Sequence, residues 1–460
     1  MNSILPSKTY FFCGIGGSGM MPLALILQSK GHTIIGSDRA YDQGASPEKF
    51  NLLTSKGISL FPQDGSGIAN ADILVVSGAI EDTVPDVAAA KAKGIAIKTR
   101  AEILSSLFND APCGISIAGT SGKSTVTGMV ATIFDACKMD PTVMNGGMIT
   151  NFDGNAACPA ANMRVGRGKA FITETDESDG SIALYNPAIA ALNNIALDHM
   201  PLDQLKTIFS TFLGRASRAV IVNMDDPHIP SLLKDCKALV ISYGIDAGEA
   251  TLKAHNITYR PDGVDFTVQG QKVSLGVAGR HNVLNALAAL GVAIAAGIDL
   301  NYAINGLERF TGIKRRLQVV GTQGGVTVID DFGHNPDKIA ATLETLKQFD
   351  GRLLVMFQAH GFAPLRLMGD EIVQSFARHL APEDELIMPE VYYAGGTVDR
   401  SVTAKDIIAK AEEAGIKAKW FAERPQCAQY LKAAAKEGDR IVIMGARDDS
   451  LTDFAKALCT

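Results

Sequence analysis

Short unbroken apolar runs alternate along this chain with longer stretches whose apolar residues recur at helical spacing. Unbroken apolar runs suit strands covered on both faces, and a three-to-four-residue repeat suits the helices that cover them. In the first third, strands are predicted over residues 10–13, 33–36, 73–76 and 95–98, with a helix over 20–28. The middle third predicts strands over 115–117, 171–173, 188–195 and 218–223, with helices over 126–134 and 283–296. Residues 238–276 change character: alternating segments over 252–259 and 264–268, with a turn at Pro261, Asp262 and Gly263, predict a small antiparallel insertion. The last third returns to the earlier rhythm. Strands are predicted over 326–329, 353–357, 385–388, 418–421 and 440–444, separated by helices over 337–349, 370–379, 404–414, 425–436 and 451–458. Such alternation predicts an α/β protein built from parallel sheets. A linker over 109–114, carrying Asp110, Pro112 and Gly114, and a hinge around Gly312 divide the chain into expected domains at 1–109, 110–312 and 313–460.

Composition narrows the setting. The 460 residues are 47% hydrophobic, enough for several cores, and the formal net charge of −6 gives no reason to expect nucleic acid or a membrane as partner. Seven scattered cysteines without a C-x-x-C pair predict reduced thiols in a cytoplasmic protein, and argue against a disulfide framework or zinc site. No leader pattern and no apolar stretch of membrane-spanning length is expected.

The strongest chemical signal is the stretch Gly119, Thr120, Ser121, Gly122, Lys123, Ser124 and Thr125, between a predicted strand and a predicted helix. A glycine-rich turn opening a helix aims N–H groups and the positive helix end at a phosphate. Lys123 would reach terminal phosphates, and the Ser124 hydroxyl would ligate Mg²⁺. An ordinary turn capping a helix is the bland alternative, disfavoured by that placement. Four acids in the six residues from Glu174 to Asp179 follow the 171–173 strand, where at least one is suited to a metal. The 188–195 strand leads to Asp198 and His199, a histidine at a strand end or else a helix cap beside an incidental ring.

A second glycine loop stands near the beginning: Gly14, Ile15, Gly16, Gly17, Ser18, Gly19 and Met20, followed at the end of the next strand by Ser37 and Asp38. It promises a pyrophosphate site, and Asp38 could accept a sugar hydroxyl. Ser77 and Ala79 lie past another strand end, and Arg100 past a third, where a phosphate partner or a solvated surface arginine are both open readings. His281 and Asn282 open an apolar helix, with Asn285 near its start; capping by Asn282 and a base-contacting role are the two readings. Arg315 and Arg316 stand at the hinge, and Asp330 and His334 follow the first strand of the last third.

Taken together these motifs resemble the Mur ligase family across essentially all of the chain. The resemblance implies three domains: a Rossmann-like UDP-sugar domain, a central phosphate-loop ATPase domain, and a Rossmann-like domain for the incoming amino acid. It implies UDP-sugar binding by Gly14 to Met20, Ser37, Asp38, Ser77, Ala79 and Arg100. ATP binding would fall to Gly119 to Thr125 with His281, Asn282, Asn285, Arg315, Arg316, Asp330 and His334. Ser124, Glu174 and His199 would hold magnesium, with two ions expected, and Lys123, Glu174, His199 and Arg316 would carry catalysis. The similarity is greatest to the branch that adds L-alanine to UDP-N-acetylmuramate, and next to the branch that adds a recycled murein tripeptide. A monomer or weak homodimer is expected. Departures cluster in the third domain, where Asn335 stands in a usual His-His-Pro and the residues after His360 diverge; Ser124 replaces a usual threonine.

The implied chemistry is ATP-driven amide formation: a carboxylate attacks the γ-phosphate, and an amine displaces phosphate from the acyl phosphate. Three readings from other classes are weighed against it. A folylpolyglutamate-synthetase-like ligase is disfavoured by the first glycine loop. A non-catalytic nucleotide sensor is disfavoured by the intact Lys123, Glu174 and His199. A dehydrogenase on the first domain leaves the phosphate loop without a purpose.

Overall fold

The computed structural model describes residues 7–78, 80–155, 157–196, 200–234, 236–393, 399–446, 448 and 450–459. The chain gathers into two compact units, one of residues 1–255, 268–271 and 284–310, the other of 256–267, 272–283 and 311–460.

The first unit begins with a five-stranded parallel sheet. Its strands are β1 (Thr9–Cys13), β2 (Thr33–Ser37), β3 (Ser59–Phe61), β4 (Ile73–Val76) and β5 (Ala96–Thr99), in the order β3-β2-β1-β4-β5. Helices α1 (Met20–Ser29), α2 (Arg39–Asp42), α3 (Pro47–Ser55), α4 (Pro85–Lys93) and α5 (Arg100–Asn109) lie between and after the strands. The order reverses direction between β1 and β4, the kind of crevice in which open parallel sheets place ligands. The expected linker is shorter than 109–114. Helix α5 runs to Asn109, and the next strand begins at Cys113. Thr99 caps α5 in a reciprocal capping box with Glu102, a signature readable from the sequence as T-x-x-E.

The second sheet of this unit holds β6 (Cys113–Ala118), β7 (Thr142–Met144), β8 (Met163–Arg164), β9 (Ala170–Glu174), β10 (Ile189–Leu192), β11 (Ala219–Asn223) and β12 (Leu239–Gly244). Its order is β12-β11-β10-β6-β9-β7-β8, parallel except for the β7–β8 pair. Helix α6 (Lys123–Ala136) follows β6, and α7 (Leu202–Gly214) precedes β11. The expected antiparallel insertion begins later than residue 238, because β12 pairs parallel with β11. The insertion proper is β13 (Leu252–Arg260), β14 (Gly263–Val268) and β15 (Gln271–Leu275). Two-residue connections make these hairpins, and positive φ at both Gln269 and Gly270 fits the turn whose twist matches paired strands. Helices α8 (Arg280–Ala295) and α9 (Leu300–Leu307) complete the middle of the chain.

In the second unit, β16 (Gln318–Gln323), β17 (Val326–Asp331), β18 (Leu353–Gln358), β19 (Glu385–Pro389), β20 (Ala418–Phe421) and β21 (Arg440–Gly445) form a sheet ordered β16-β17-β21-β18-β19-β20. All pairs are parallel except β16–β17. Helices α10 (Pro336–Leu346), α11 (Phe362–His379), α12 (Ala404–Glu413), α13 (Arg424–Ala434) and α14 (Ser450–Leu458) accompany it. Helix α11 starts eight residues before the expected 370, since Phe362 and Leu365 extend its buried stripe. Pro364 is tolerated there because first-turn N–H groups have no helical partner to lose.

Within the first unit, Phe108 joins its two sheets. The ring is fully buried and meets Phe171 edge-on at 5.9 Å and Tyr185 at 5.1 Å between centroids. Beside it, the Asn109 amide donates to the Leu184 carbonyl and its oxygen accepts from the Asn186 N–H. Phe108→Ala should cost about 3–5 kcal/mol through the cavity and the lost ring contacts. Equilibrium urea unfolding followed by near-ultraviolet circular dichroism would read that loss.

Candidate functional site

The phosphate loop leaves the end of β6, and the strand order decides what surrounds it. The neighbours of β6 are β9 on one side and β10 on the other. The carboxylates that follow β9 therefore flank the loop on one side, and the amides that follow β10 flank it on the other.

Gly119 and Gly122 hold φ values of +129° and +82°, so the loop's path depends on residues without a side chain at these two places. A Cβ on Gly122 would stand 2.6 Å from Asn285 Oδ1 and 3.0 Å from Asn193 Nδ2. Asn194 fixes the loop from below. Its side-chain oxygen accepts from the Thr120 hydroxyl and the Ser121 N–H, both at 2.8 Å, and its Nδ2 donates to the Ser121 carbonyl at 3.1 Å. The Thr120 N–H donates to the Asn194 backbone carbonyl. The Ala196 N–H in turn donates to the Thr120 hydroxyl at 3.0 Å. β10 stops at Leu192 and not at the expected 195: the Asn193 N–H still reaches the Ala118 carbonyl of β6, while Asn194 turns to bond the loop. Helix α6 then opens at Lys123, with its first N–H groups lacking helical partners. Thr125 lies half-buried in the same first turn.

On the β9 side, the Ser124 hydroxyl donates to Glu174 Oε2 at 2.8 Å. A Cβ on Gly146 would lie 2.0 Å from Glu174 Oε1, so the carboxylate occupies space that only glycine leaves. A hydroxyl and a carboxylate side by side form the kind of hard oxygen pair that suits Mg²⁺. Among the described residues no group of three His, Cys, Asp or Glu converges in metal-binding geometry. His199, the third expected ligand, and its neighbour Asp198 lie outside the described residues. The Lys123 ammonium contacts Glu177 Oε2 at 2.8 Å and approaches Asp176 Oδ1 at 3.8 Å. Burial alone would depress its pKa, but the Glu177, Asp176 and Glu174 carboxylates outweigh that and raise it.

The first glycine loop follows β1. Gly14 turns the chain at φ +78°. The N–H groups of Gly14 and Ile15 donate to the Ser37 carbonyl, and that of Gly17 to the Gly14 carbonyl. The Gly16 N–H donates to Asp38 Oδ2 at 2.8 Å. Most of this loop's donors are thus spent on its own shape. Among the described residues the Ser18 and Gly19 N–H groups, at the head of α1, have no backbone partner. Met20, the first residue of α1, is buried. The structure gives Asp38 work inside the fold as well, since its other oxygen caps α2 through the Ala40 N–H. Ser37 is fully buried and donates to Asp86 at 2.5 Å. Ser77 lies half-buried past β4, and Ala79 lies outside the described residues. Arg100 crosses the loop, its Cδ 3.1 Å from where a Gly19 Cβ would be, and its guanidinium is 3.9 Å from Asp179. Asn162 donates to the Ser18 carbonyl at 3.0 Å. Sequence reasoning did not single out Asp86, Asn162, Glu177, Asn193 or Asn194. Only Glu177, within the acidic run, carried a local signal.

In the second unit, Arg315 and Arg316 part company. Arg315, at φ +62°, is buried. Its Nε lies 3.4 Å from Asp330 Oδ1, and its Nη2 donates to the Gly445 carbonyl at 2.7 Å. Asp330 is fully buried and also accepts from the Thr452 hydroxyl. Burial raises the Asp330 carboxyl pKa against the pull of Thr452 and Arg315. Arg316 is only half-buried; both guanidinium groups lie over the Phe332 ring, at 5.2 Å for Arg315 and 4.9 Å for Arg316. His334 meets Phe332 and His360 edge-on and donates from Nδ1 to the Phe332 carbonyl at 2.8 Å. Asn335, the departure from the family pattern, caps α10 by accepting from the Lys338 N–H. His281 carries a pKa lowered by burial. Asn282 is no cap: α8 already begins at Arg280, and its amide reaches back to the Ala278 carbonyl.

Comparison with known proteins adds independent findings. Three family models match in succession: Mur ligase family, catalytic domain, over residues 9–111; Mur ligase middle domain over 117–293; and Mur ligase, glutamate ligase domain, over 315–447. A UDP-N-acetylmuramate–L-alanine ligase of Nitratidesulfovibrio vulgaris is 36% identical over 95% of this chain and 96% of its own. A ligase of the same name from Solibacter usitatus is 35% identical over 95% and 92%. Among solved structures, the UDP-N-acetylmuramate-alanine ligase of Thermotoga maritima aligns with a TM-score of 0.79 at 23% identity over 98% of both chains. A murein peptide ligase of Psychrobacter arcticus 273-4 aligns at 0.70, also at 23% identity over 98% of both chains. At such identity these two likenesses speak for the fold.

Burial pushes the His334 imidazole down to about 3; Lys338 adds to this, the Phe332 carbonyl opposes it, and His360 and Arg316 add further. The unfolded chain, with the ordinary value of 6.5, therefore takes up a proton that the folded ring refuses. This contribution to stability is complete above 6.5 and is lost as pH falls from there toward about 3. Imidazole NMR should show His334 neutral, protonated on Nδ1, through the weakly acidic range. His334→Gln should flatten the acid side of the stability profile measured by urea unfolding.

Proposed function

The chain belongs to the Mur ligase family, and on that premise we propose that it joins L-alanine to UDP-N-acetylmuramate in peptidoglycan precursor synthesis. ATP is the energy source, and ADP and phosphate are the products. The observation that carries this reading is the nearly full-length likeness to ligases named for that reaction. The reaction has two steps. A muramate carboxylate oxygen bonds to the γ-phosphorus as the bond to the β-phosphate oxygen breaks, giving an acyl phosphate and ADP. The L-alanine amine then bonds to the acyl carbon, loses a proton, and phosphate leaves.

Two anions must approach each other in the first step, so catalysis is largely positioning and charge neutralisation. In this reading the Gly119–Thr125 loop cradles the β- and γ-phosphates. Lys123 supplies positive charge where negative charge develops. Asn194 keeps the loop in its binding shape before ligand arrives, which removes a reorganisation cost from the reaction. Ser124 and Glu174 would hold Mg²⁺, with His199 assigned to a second ion; bound there, such cations neutralise phosphate charge and orient the reacting oxygens. His281, Asn282, Asn285, Arg315, Arg316, Asp330 and His334 keep their assignment to the nucleotide. The Ser18 and Gly19 N–H groups are the donors we assign to the UDP pyrophosphate, with Arg100 beside them. We take the enzyme to be cytoplasmic, as a monomer or weak homodimer. In support, the seven cysteines are unpaired, and no helix among the described residues is long and apolar enough to cross a membrane.

ATP-dependent phosphate release with UDP-N-acetylmuramate, scanned over L-Ala, L-Ser, Gly and the murein tripeptide, tests the proposal. Release should require L-Ala. Release only with the tripeptide would move the chain to the recycling branch, and no release with any acceptor would sink the ligase reading. In the same assay Lys123→Ala should lose several kcal/mol of transition-state stabilisation, on the order of a 100- to 1,000-fold fall in kcat. Unchanged turnover would remove Lys123 from the site.

A further inference from the structure

Glu177 is buried to 3% exposure, and among the described residues its ion-pair partner is the Lys123 ammonium. A carboxylate so placed is stable only with its charge answered, and a 2.8 Å charge-assisted contact answers it. The backbone that carries Glu177 is itself fixed. The Ser178 N–H bonds the Asp176 carboxylate, the Ser181 N–H bonds Asp179, and the Gly180 and Ile182 N–H groups bond the Glu177 and Asp176 carbonyls. Lysine, by contrast, ends a flexible four-carbon stem with three donors that can be redirected. Of the two partners, Lys123 is the one able to move.

We infer that Glu177 is a positioning residue that holds the Lys123 ammonium at the phosphate loop in the place of a nucleotide's terminal phosphates. Nucleotide then binds by exchanging one oxyanion for another at Nζ. Glu177 keeps the lysine extended and charged, at the cost of competing with the β- and γ-phosphates for it. This rests on the nucleotide reading of the loop, and it makes Glu177 act through Lys123 without touching the reacting atoms.

Calorimetric titration of the full chain with ADP, ATP and AMP, each in EDTA and again with Mg²⁺, tests the exchange. Glu177→Gln removes the competing charge and should lower the Kd for ATP and ADP by about three- to tenfold in both conditions. Glu177→Asp withdraws the charge by one methylene and should shift it the same way by less. AMP, which offers nothing to Lys123, should bind all variants alike. An unchanged or higher Kd for ADP in either variant overturns the inference. So does an equal shift for AMP, or a weakening confined to Mg²⁺, which would make Glu177 a metal ligand. A lower melting temperature with an unchanged Kd would reduce it to a packing role. A wild-type chain that binds no adenine nucleotide overturns the nucleotide reading itself, and the inference with it.

Discussion

An ammonium group taken out of water must be answered by negative charge, and around Lys123 that requirement shapes the centre of the first unit. Three carboxylates from the end of β9 and the segment after it supply the charge: Glu177 in contact, Asp176 nearby, and Glu174 one step further. None could be there unless β9 lay directly beside β6, so the electrostatics of the loop depend on sheet order. The same order puts Asn193 and Asn194 on the other side, where neutral amides bond the loop without competing for its lysine. Charge is thus kept to one flank and geometric fixation to the other.

The two glycine loops reach their shapes by different means. The first is held by the end of β2, where the Ser37 carbonyl and the Asp38 carboxylate take the N–H groups of Gly14, Ile15 and Gly16, and by its own Gly14 carbonyl, which takes that of Gly17. The second is held from outside by Asn194 and by the bond from Ala196 to Thr120. A loop whose backbone N–H groups are taken by its neighbours leaves few donors for a ligand, at the helix head. One held largely through a hydroxyl and a carbonyl, as Thr120 and Ser121 are, keeps more of its N–H groups to present.

Much of this architecture was legible in the sequence because the strands are buried on both faces. Ile73–Val76 ends where its apolar run ends, the run of β18 is buried throughout, and the long buried stripe of α6 is visible from Val126 onward. Elements with weak apolar contrast were not legible, such as β3, with Ser59 exposed and its other two residues half-buried, and α4, rich in alanine and lysine. The loop motifs could be placed on strand ends, since their glycines answer a local backbone demand. Their supports could not. Asp86, buried beneath Ser37, reads in the sequence as an ordinary acid after Pro85 at a helix start, and Asn162 lies in an irregular stretch with no period. Such residues earn their roles through contacts remote in sequence. The parting of Arg315 from Arg316 is of the same kind, since adjacent arginines look alike until the fold buries one of them against Asp330.

The bare Cα of Gly146 lies against the Glu174 carboxylate, so two positions far apart in sequence constrain each other. A side chain at 146 would press the Glu174 carboxylate out of its present place beside the Ser124 hydroxyl. The turn at Asn145, Gly146 and Gly147 is thereby held by chemistry that belongs to another strand.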